Sequence, residues 1–239
     1  MSDANTQEFT KAVAEYLGTL VWDGVPRIDR WLIDYAAAED SPYVRSASRA
    51  MLVAAVRRAR QPGCRFDQMP VLDGPQGCGK SAALRLLAVK DEWFTDVVPL
   101  TDGDMRRIME ATHGKWIVEA SELANLLAHS ADDDVDRERS PRRRPAVDLK
   151  AFLSRTHDEA RMAYAREVSR VPRHFVVVGT TAATPYLGDT TGNRRIWPIH
   201  VGRFDLDRLA KVRDQLWAEA AVAEAGGESI DLAGVVASA

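Results

Sequence analysis

Cysteine is nearly absent from the chain, with only Cys64 and Cys78 in 239 residues. The two lie too far apart for a paired-thiol motif, and Cys78 sits inside a glycine-rich loop, so both are read as reduced thiols. No apolar run approaches the length of a membrane span. The N-terminus, MSDANTQEFTK, lacks the basic stretch and apolar core of a secretion signal. These absences point to a soluble, cytoplasmic protein. Positive charge is also not in excess: the formal net charge of -3 excludes a protein that coats nucleic acid indiscriminately, because such binding needs many unbalanced Lys and Arg. Any nucleic-acid contact is then local. The place for it is Arg137 to Arg173, where Lys and Arg occupy 137, 139, 142, 143, 144, 150, 155, 161, 166, 170 and 173 against acids at 138, 148, 158, 159 and 167.

What is present is apolar periodicity of two kinds. Phe9, Val13, Tyr16, Leu17 and Leu20 recur at helical spacing, followed by Trp31, Leu32 and Tyr35 and then Val44, Ala47, Met51 and Ala54, with Pro26 and Pro42 between them. Residues 1–62 therefore read as a small helical region. From residue 63 the pattern becomes α/β: strands at Met69–Leu72, Trp116–Ala120, Phe175–Gly179 and Ile196–Val201, helices at Ser81–Val89 and Glu122–Ala128. Parallel strands are implied. Ala131 to Pro145, an acidic run followed by a basic one with two prolines, reads as a mobile loop. Residues 206–239 read as one amphipathic helix, stopped by Gly226-Gly227, and a tail. No internal repeat is present.

The strongest local signal is Gly74-Pro75-Gln76-Gly77-Cys78-Gly79-Lys80-Ser81, which fits GxxxxGK[ST] between an apolar strand and a helix. The glycines let backbone N–H groups turn inward around phosphates, and the helix N-terminus adds partial positive charge. Lys80 is expected on the β- and γ-phosphates of ATP, and Ser81 on Mg²⁺. Hydrolysis further needs a carboxylate for the magnesium shell and another to polarise water. Glu119, closing an apolar strand, is the candidate for the first, and Glu122 for the second, although Glu122 behind Ser121 also suits a helix cap. Thr180 or Thr181, ending a strand, could meet the γ-phosphate or merely satisfy backbone. Arg194-Arg195 could stabilise phosphoryl charge or simply face solvent.

WDGVPRID at 22–29, VLDGPQGCGKS at 71–81, GKWIVEASEL at 114–123, LKAFLSR at 149–155 and TGNRRIWPI at 191–199 together resemble the virulence-associated protein E family of phages and mobile elements, itself similar to superfamily 3 helicases of the AAA+ class. The resemblance spans roughly residues 10–205. It implies a P-loop AAA+ core over 63–205, with a mainly parallel sheet flanked by helices. It also implies a homo-oligomeric, hexameric ring with ATP between subunits and Arg194 or Arg195 reaching the neighbour's γ-phosphate. A pore hairpin is implied between Glu122 and Phe175, with Lys150, Arg155 and Arg161 facing single-stranded DNA; the same three also suit an ordinary solvated face. A primase or another replication protein is the implied partner.

One departure matters. The family pattern after the second strand is TTN, with an asparagine that orients water, and here the third residue is Ala182, which cannot hydrogen-bond. Two functions follow: an ATP-hydrolysing, DNA-dependent helicase or translocase in phage or mobile-element replication, or a nucleotide-controlled assembly ATPase with little turnover. A small-molecule kinase on the same loop is disfavoured, because the arginine pair follows a strand rather than lying in a helical lid.

Overall fold

A computed structural model of the chain describes residues 3–100, 104–121, 149–163, 167–182 and 195–232. Three helices open it: α1 (Asp3–Thr19), α2 (Trp31–Ala36) and α3 (Pro42–Arg60). Pro42 does not merely separate helices. It is the first residue of α3, where its missing N–H costs nothing, and the Ser41 side chain caps the same turn by accepting from the Val44 amide.

The strands and helices that follow are β1 (Met69–Asp73), α4 (Lys80–Leu87), a short 3₁₀ turn leading into β2 (Phe94–Thr95), α5 (Met105–Thr112) and β3 (Ile117–Ala120). After these come α6 (Leu149–Leu153), β4 (His157–Ala160), β5 (Ser169–Pro172), β6 (Val176–Thr181), β7 (Ile196–His200) and α7 (Leu206–Ala225). Five strands form one sheet in the order β2-β3-β6-β1-β7, and every pairing in it is parallel. The expected parallel sheet flanked by helices is therefore what the chain forms. The expected helix at 122–128 and loop at 131–145 lie outside the described residues.

Alternation along the strands divides the core into two layers. Leu72, Ile117, Val176, Val178, Trp197 and Ile199 share one cluster with buried residues of α1, α2, α3, α4 and α7. Met69, Val71, Val118, Val177 and Ile196 face the other way and pack with Ile108 of α5 and Phe152 of α6. The N-terminal helices are thus part of the same core as the sheet. Tryptophans pin the first layer: the Trp116 and Trp217 rings stack 4.2 Å apart, and their indole N–H groups donate to Ala55 O and Leu87 O. Buried indoles need such acceptors, so each also fixes where a helix sits.

The segment between Glu122 and Phe175 contains an element that periodicity does not reveal: β4 and β5 pair antiparallel as a separate two-stranded hairpin. It is tied down by Arg173, which is 1% exposed. The Arg173 guanidinium donates to both carboxylate oxygens of Asp158 and to Phe152 O, and it lies over the Phe152 and Phe175 rings. Arg173 therefore belongs to the core, not to the basic surface that its position in the sequence suggests.

Candidate functional site

Because all five strands of the main sheet are parallel, their C-terminal ends share one edge, where open α/β sheets place their ligands. Residues 74–81 occupy that edge between β1 and α4. Gly74 has no room for a side chain, since a Cβ there would meet Val201 O at 2.3 Å. Gly79, at φ +99°, takes a backbone conformation that side-chain-bearing residues avoid. The loop is also stitched to the connector after β7: the Phe204 amide donates to Cys78 O at 2.8 Å. Gly74 through Ser81 are thus held as a fixed turn rather than a free loop.

Two side chains of this turn are already engaged. Lys80 Nζ donates to Gly74 O at 2.6 Å and Pro75 O at 2.9 Å, so the ammonium is folded over the turn it belongs to. Ser81 Oγ donates to Glu119 Oε1 at 2.8 Å, and Thr180 Oγ1 donates to the same oxygen at 2.6 Å. Glu119 is 1% exposed, and its second oxygen, Oε2, accepts no hydrogen bond among the described residues. A buried, ionisable oxygen without a partner is costly unless something fills its place. A magnesium ion or its bound water fits that oxygen, with the Ser81 hydroxyl one hydrogen bond away. Among the described residues no cluster of three or more His, Cys, Asp or Glu converges as a metal site.

Ser81 and Glu119 are therefore brought together, while the Lys80 ammonium stays on the carbonyls of its own turn. The hydroxyl that joins them is Thr180. Thr181, the neighbouring candidate, is buried on the opposite face of β6 and pairs in register with Asp73. Glu122 and Arg194 lie outside the described residues. Arg195 is described and stands elsewhere: it precedes Ile196, the register partner of Met69, and so lies at the N-terminal edge of the sheet, with Asp67 3.5 Å from its Nε. Ala182 is exposed at the end of β6.

Of the residues assigned to DNA, Lys150 lies half-buried in α6, Arg161 is exposed just past β4, and Arg155 is half-buried with its Nη1 2.8 Å from Met105 Sδ. They flank the β4–β5 hairpin rather than the phosphate loop. Two residues at the site escaped the sequence reading. Asp73, 3% exposed, closes β1 directly before Gly74, and His200, its register partner on β7, places Nδ1 2.9 Å from Asp73 Oδ2. An acid closing the apolar strand MPVLD is the same signal that singled out Glu119.

These observations define a class: an α/β protein whose parallel sheet carries a strand–glycine-turn–helix phosphate-loop motif at its C-terminal edge, backed by a buried acid. Residues 17–233 match the virulence-associated protein E-like domain, and the chain belongs to that family. The fold is similar to the apo A form of the NrS-1 C terminal region, with a TM-score of 0.55 at 12% identity over 86% of this chain and 48% of that one. It is also similar to an A form apo structure of NrS-1 residues 305–718, with a TM-score of 0.50 at 14% identity over 92% of this chain and 48% of that one. At such identities the likeness is one of fold. The chain spans about half the length of these solved chains. No curated protein matches the sequence. Among the described residues no helix is long and apolar enough to cross a membrane.

Proposed function

We propose that the chain is an ATP-hydrolysing motor of the superfamily 3, AAA+ type, acting on single-stranded DNA in the replication of a phage or mobile element. The observation that carries this reading is the convergence of Ser81 and Thr180 on one oxygen of the buried Glu119, with the other oxygen left unpartnered at the phosphate loop.

In this reading the amides of residues 74–81 cradle the β- and γ-phosphates of ATP. Lys80 releases Gly74 O and Pro75 O to meet them, exchanging two carbonyl acceptors for charged oxygens, which bind an ammonium more strongly. Ser81 and Glu119 hold Mg²⁺, which neutralises charge developing on the transferred phosphoryl group. Glu122 is the proposed base. Arg194 or Arg195 serves a neighbouring copy in a ring, a hexamer by the family resemblance. The position of Arg195 supports that division of labour, because the length of β1 separates it from its own phosphate loop. The β4–β5 hairpin, with Lys150, Arg155 and Arg161 around it, is the proposed DNA contact.

A second reading is favoured by Ala182, which has no polar atom to orient water: a ring that binds ATP to assemble or to load a primase or another replication protein, with little turnover. Both readings require ATP binding at the loop. Titration with a fluorescent ATP analogue and Mg²⁺ should give saturable binding that weakens at least about tenfold in Lys80→Ala. Equal affinity in the two proteins would remove the basis of both readings.

A further inference from the structure

Beside the phosphate loop, on the same C-terminal edge of the sheet, a buried acid holds an exposed imidazole. Asp73 closes β1 one residue before Gly74, and His200 closes β7 as its register partner. His200 Nδ1 lies 2.9 Å from Asp73 Oδ2; the carboxylate is buried, while the histidine side chain is 77% exposed. A carboxylate only accepts, so Nδ1 carries the N–H of this contact. The ring is thereby oriented, with Nδ1 toward the protein and Nε2, on the far side of the imidazole, toward solvent. An ion pair whose cationic partner stands mostly in water contributes little to stability. Orientation of the ring by a carboxylate is, however, what a ligand-facing histidine needs.

The pair is built into the backbone around the loop. The Val201 amide donates to Asp73 O at 2.7 Å, and the Gly74 amide donates to Thr181 O at 3.2 Å. From Val201 onward the chain runs along the loop: a Cβ on Gly74 would meet Val201 O, and a Cβ on Gly79 would lie 3.2 Å from Phe204 Cβ. His200 thus stands one residue before the connector that lines residues 74–79. Lys80 Nζ rests on Gly74 O and Pro75 O, so the ammonium and the Asp73–His200 pair share one end of the loop. Asp73 lies on the same face of β1 as Val71, which packs toward α5 and α6, whereas Leu72 packs toward α4. The loop is therefore flanked by Glu119 and Thr180 on one face of the sheet and by Asp73 and His200 on the other.

We infer that His200 is a phosphate-contacting residue of this site, donating from Nε2 to a phosphate oxygen of the nucleotide in the same chain's loop, and that Asp73 is its positioning residue. The inference rests on the proposed binding of ATP at residues 74–81. With Asp73 on one side and a phosphate oxygen on the other, the ring binds as an imidazolium, with an N–H on each nitrogen. The charge of Asp73 does not bar the phosphate, because the carboxylate lies buried behind the ring that it holds.

The test uses the full chain with ring-¹⁵N-labelled histidine and Mg²⁺, and three probes: the fluorescent ATP analogue, inorganic tripolyphosphate and adenosine. Wild type is compared with His200→Ala, Asp73→Ala, Asp73→Asn and Lys80→Ala, each first checked for wild-type unfolding. The ring signals missing from the nuclear magnetic resonance spectrum of His200→Ala belong to His200. Tripolyphosphate should move them to imidazolium positions in wild type, and adenosine should not. His200→Ala should bind the ATP analogue and tripolyphosphate about tenfold more weakly. Asp73→Ala should lose about as much and Asp73→Asn only about threefold, because the amide oxygen still accepts from Nδ1. Unmoved His200 signals and wild-type affinity in His200→Ala, beside a weakened Lys80→Ala, would overturn the inference and leave ATP binding standing. Undiminished affinity in Lys80→Ala would overturn that binding itself. Signals that move with adenosine and not with tripolyphosphate would place the ring against base or sugar, and the inference would fail. Equal losses in Asp73→Asn and Asp73→Ala would deny Asp73 its positioning role.

Discussion

Glu119 is the residue on which the site depends. Its Oε1 collects hydroxyl donors from two elements, the start of α4 and the end of β6, so one carboxylate ties the phosphate loop to the central strands. Glu119→Gln keeps an acceptor for Ser81 and Thr180 but removes the charge at the open Oε2. It should retain ATP binding and lose at least about a hundredfold in kcat, read by phosphate release. Wild-type kcat would mean that Oε2 has no part in the chemistry. The loop and Glu119 were legible because their signals are local: three glycines with Lys-Ser, and an acid closing an apolar strand. The choice between Thr180 and Thr181 was not. It depends on which face of β6 meets α4, and that follows from sheet register, which pairs Leu72 with Thr180 and Glu119 with Val178.

At the scale of elements, the β4–β5 hairpin is the part that sequence reading located without resolving. HDEA and SRVP are short, polar and without alternation, and their pairing is fixed instead by a buried ion pair between Asp158 and Arg173. Because Arg173 also holds Phe152 O and leads directly into β6, the hairpin, α6 and the central sheet share one joint. Arg58 reinforces it from α3 by donating to Phe175 O and Phe66 O. Its burial pushes the guanidinium down to about 10, still charged at neutral pH. Removing one partner leaves the other charge buried. Arg173→Met should therefore cost about 3–5 kcal/mol in urea unfolding, and adding Asp158→Leu should recover most of it. Equal losses in the single and double variants would mean that packing, not the ion pair, makes the joint. By contrast, α3 and α7 were readable from the recurrence of apolar residues at helical spacing, although residues 50–56 and 216–221 are buried on every side, which periodicity does not reveal.

Over the whole molecule, one apolar layer joins the N-terminal helices, α4, α7 and the sheet, so stability reports on the entire fold. Its margin carries a built-in acid sensitivity. His174, 2% exposed against the Phe9 ring, is pushed down to about 4 from its ordinary 6.5 by burial, and His113 is shifted the same way by the same cause. The unfolded chain takes up a proton at His174 near pH 6.5, while the folded chain refuses it until about pH 4. The stabilisation is complete above pH 6.5 and is lost as pH falls toward 4, on the order of 3 kcal/mol in all. Urea midpoints measured across that window should fall, and His174→Gln should flatten the fall. An unchanged slope in the variant would assign the acid sensitivity to other groups.

The central claim, a DNA-responsive ATPase, meets its most direct test in steady-state ATP hydrolysis with and without single-stranded DNA, for wild type, Lys80→Ala and Ala182→Asn at two salt concentrations. The account predicts wild-type turnover that rises with DNA, less so at high salt because backbone contacts are screened, and that vanishes in Lys80→Ala. DNA stimulation absent in wild type but present in Ala182→Asn would identify a ring that binds without driving. Turnover that persists in Lys80→Ala would contradict the account at its root.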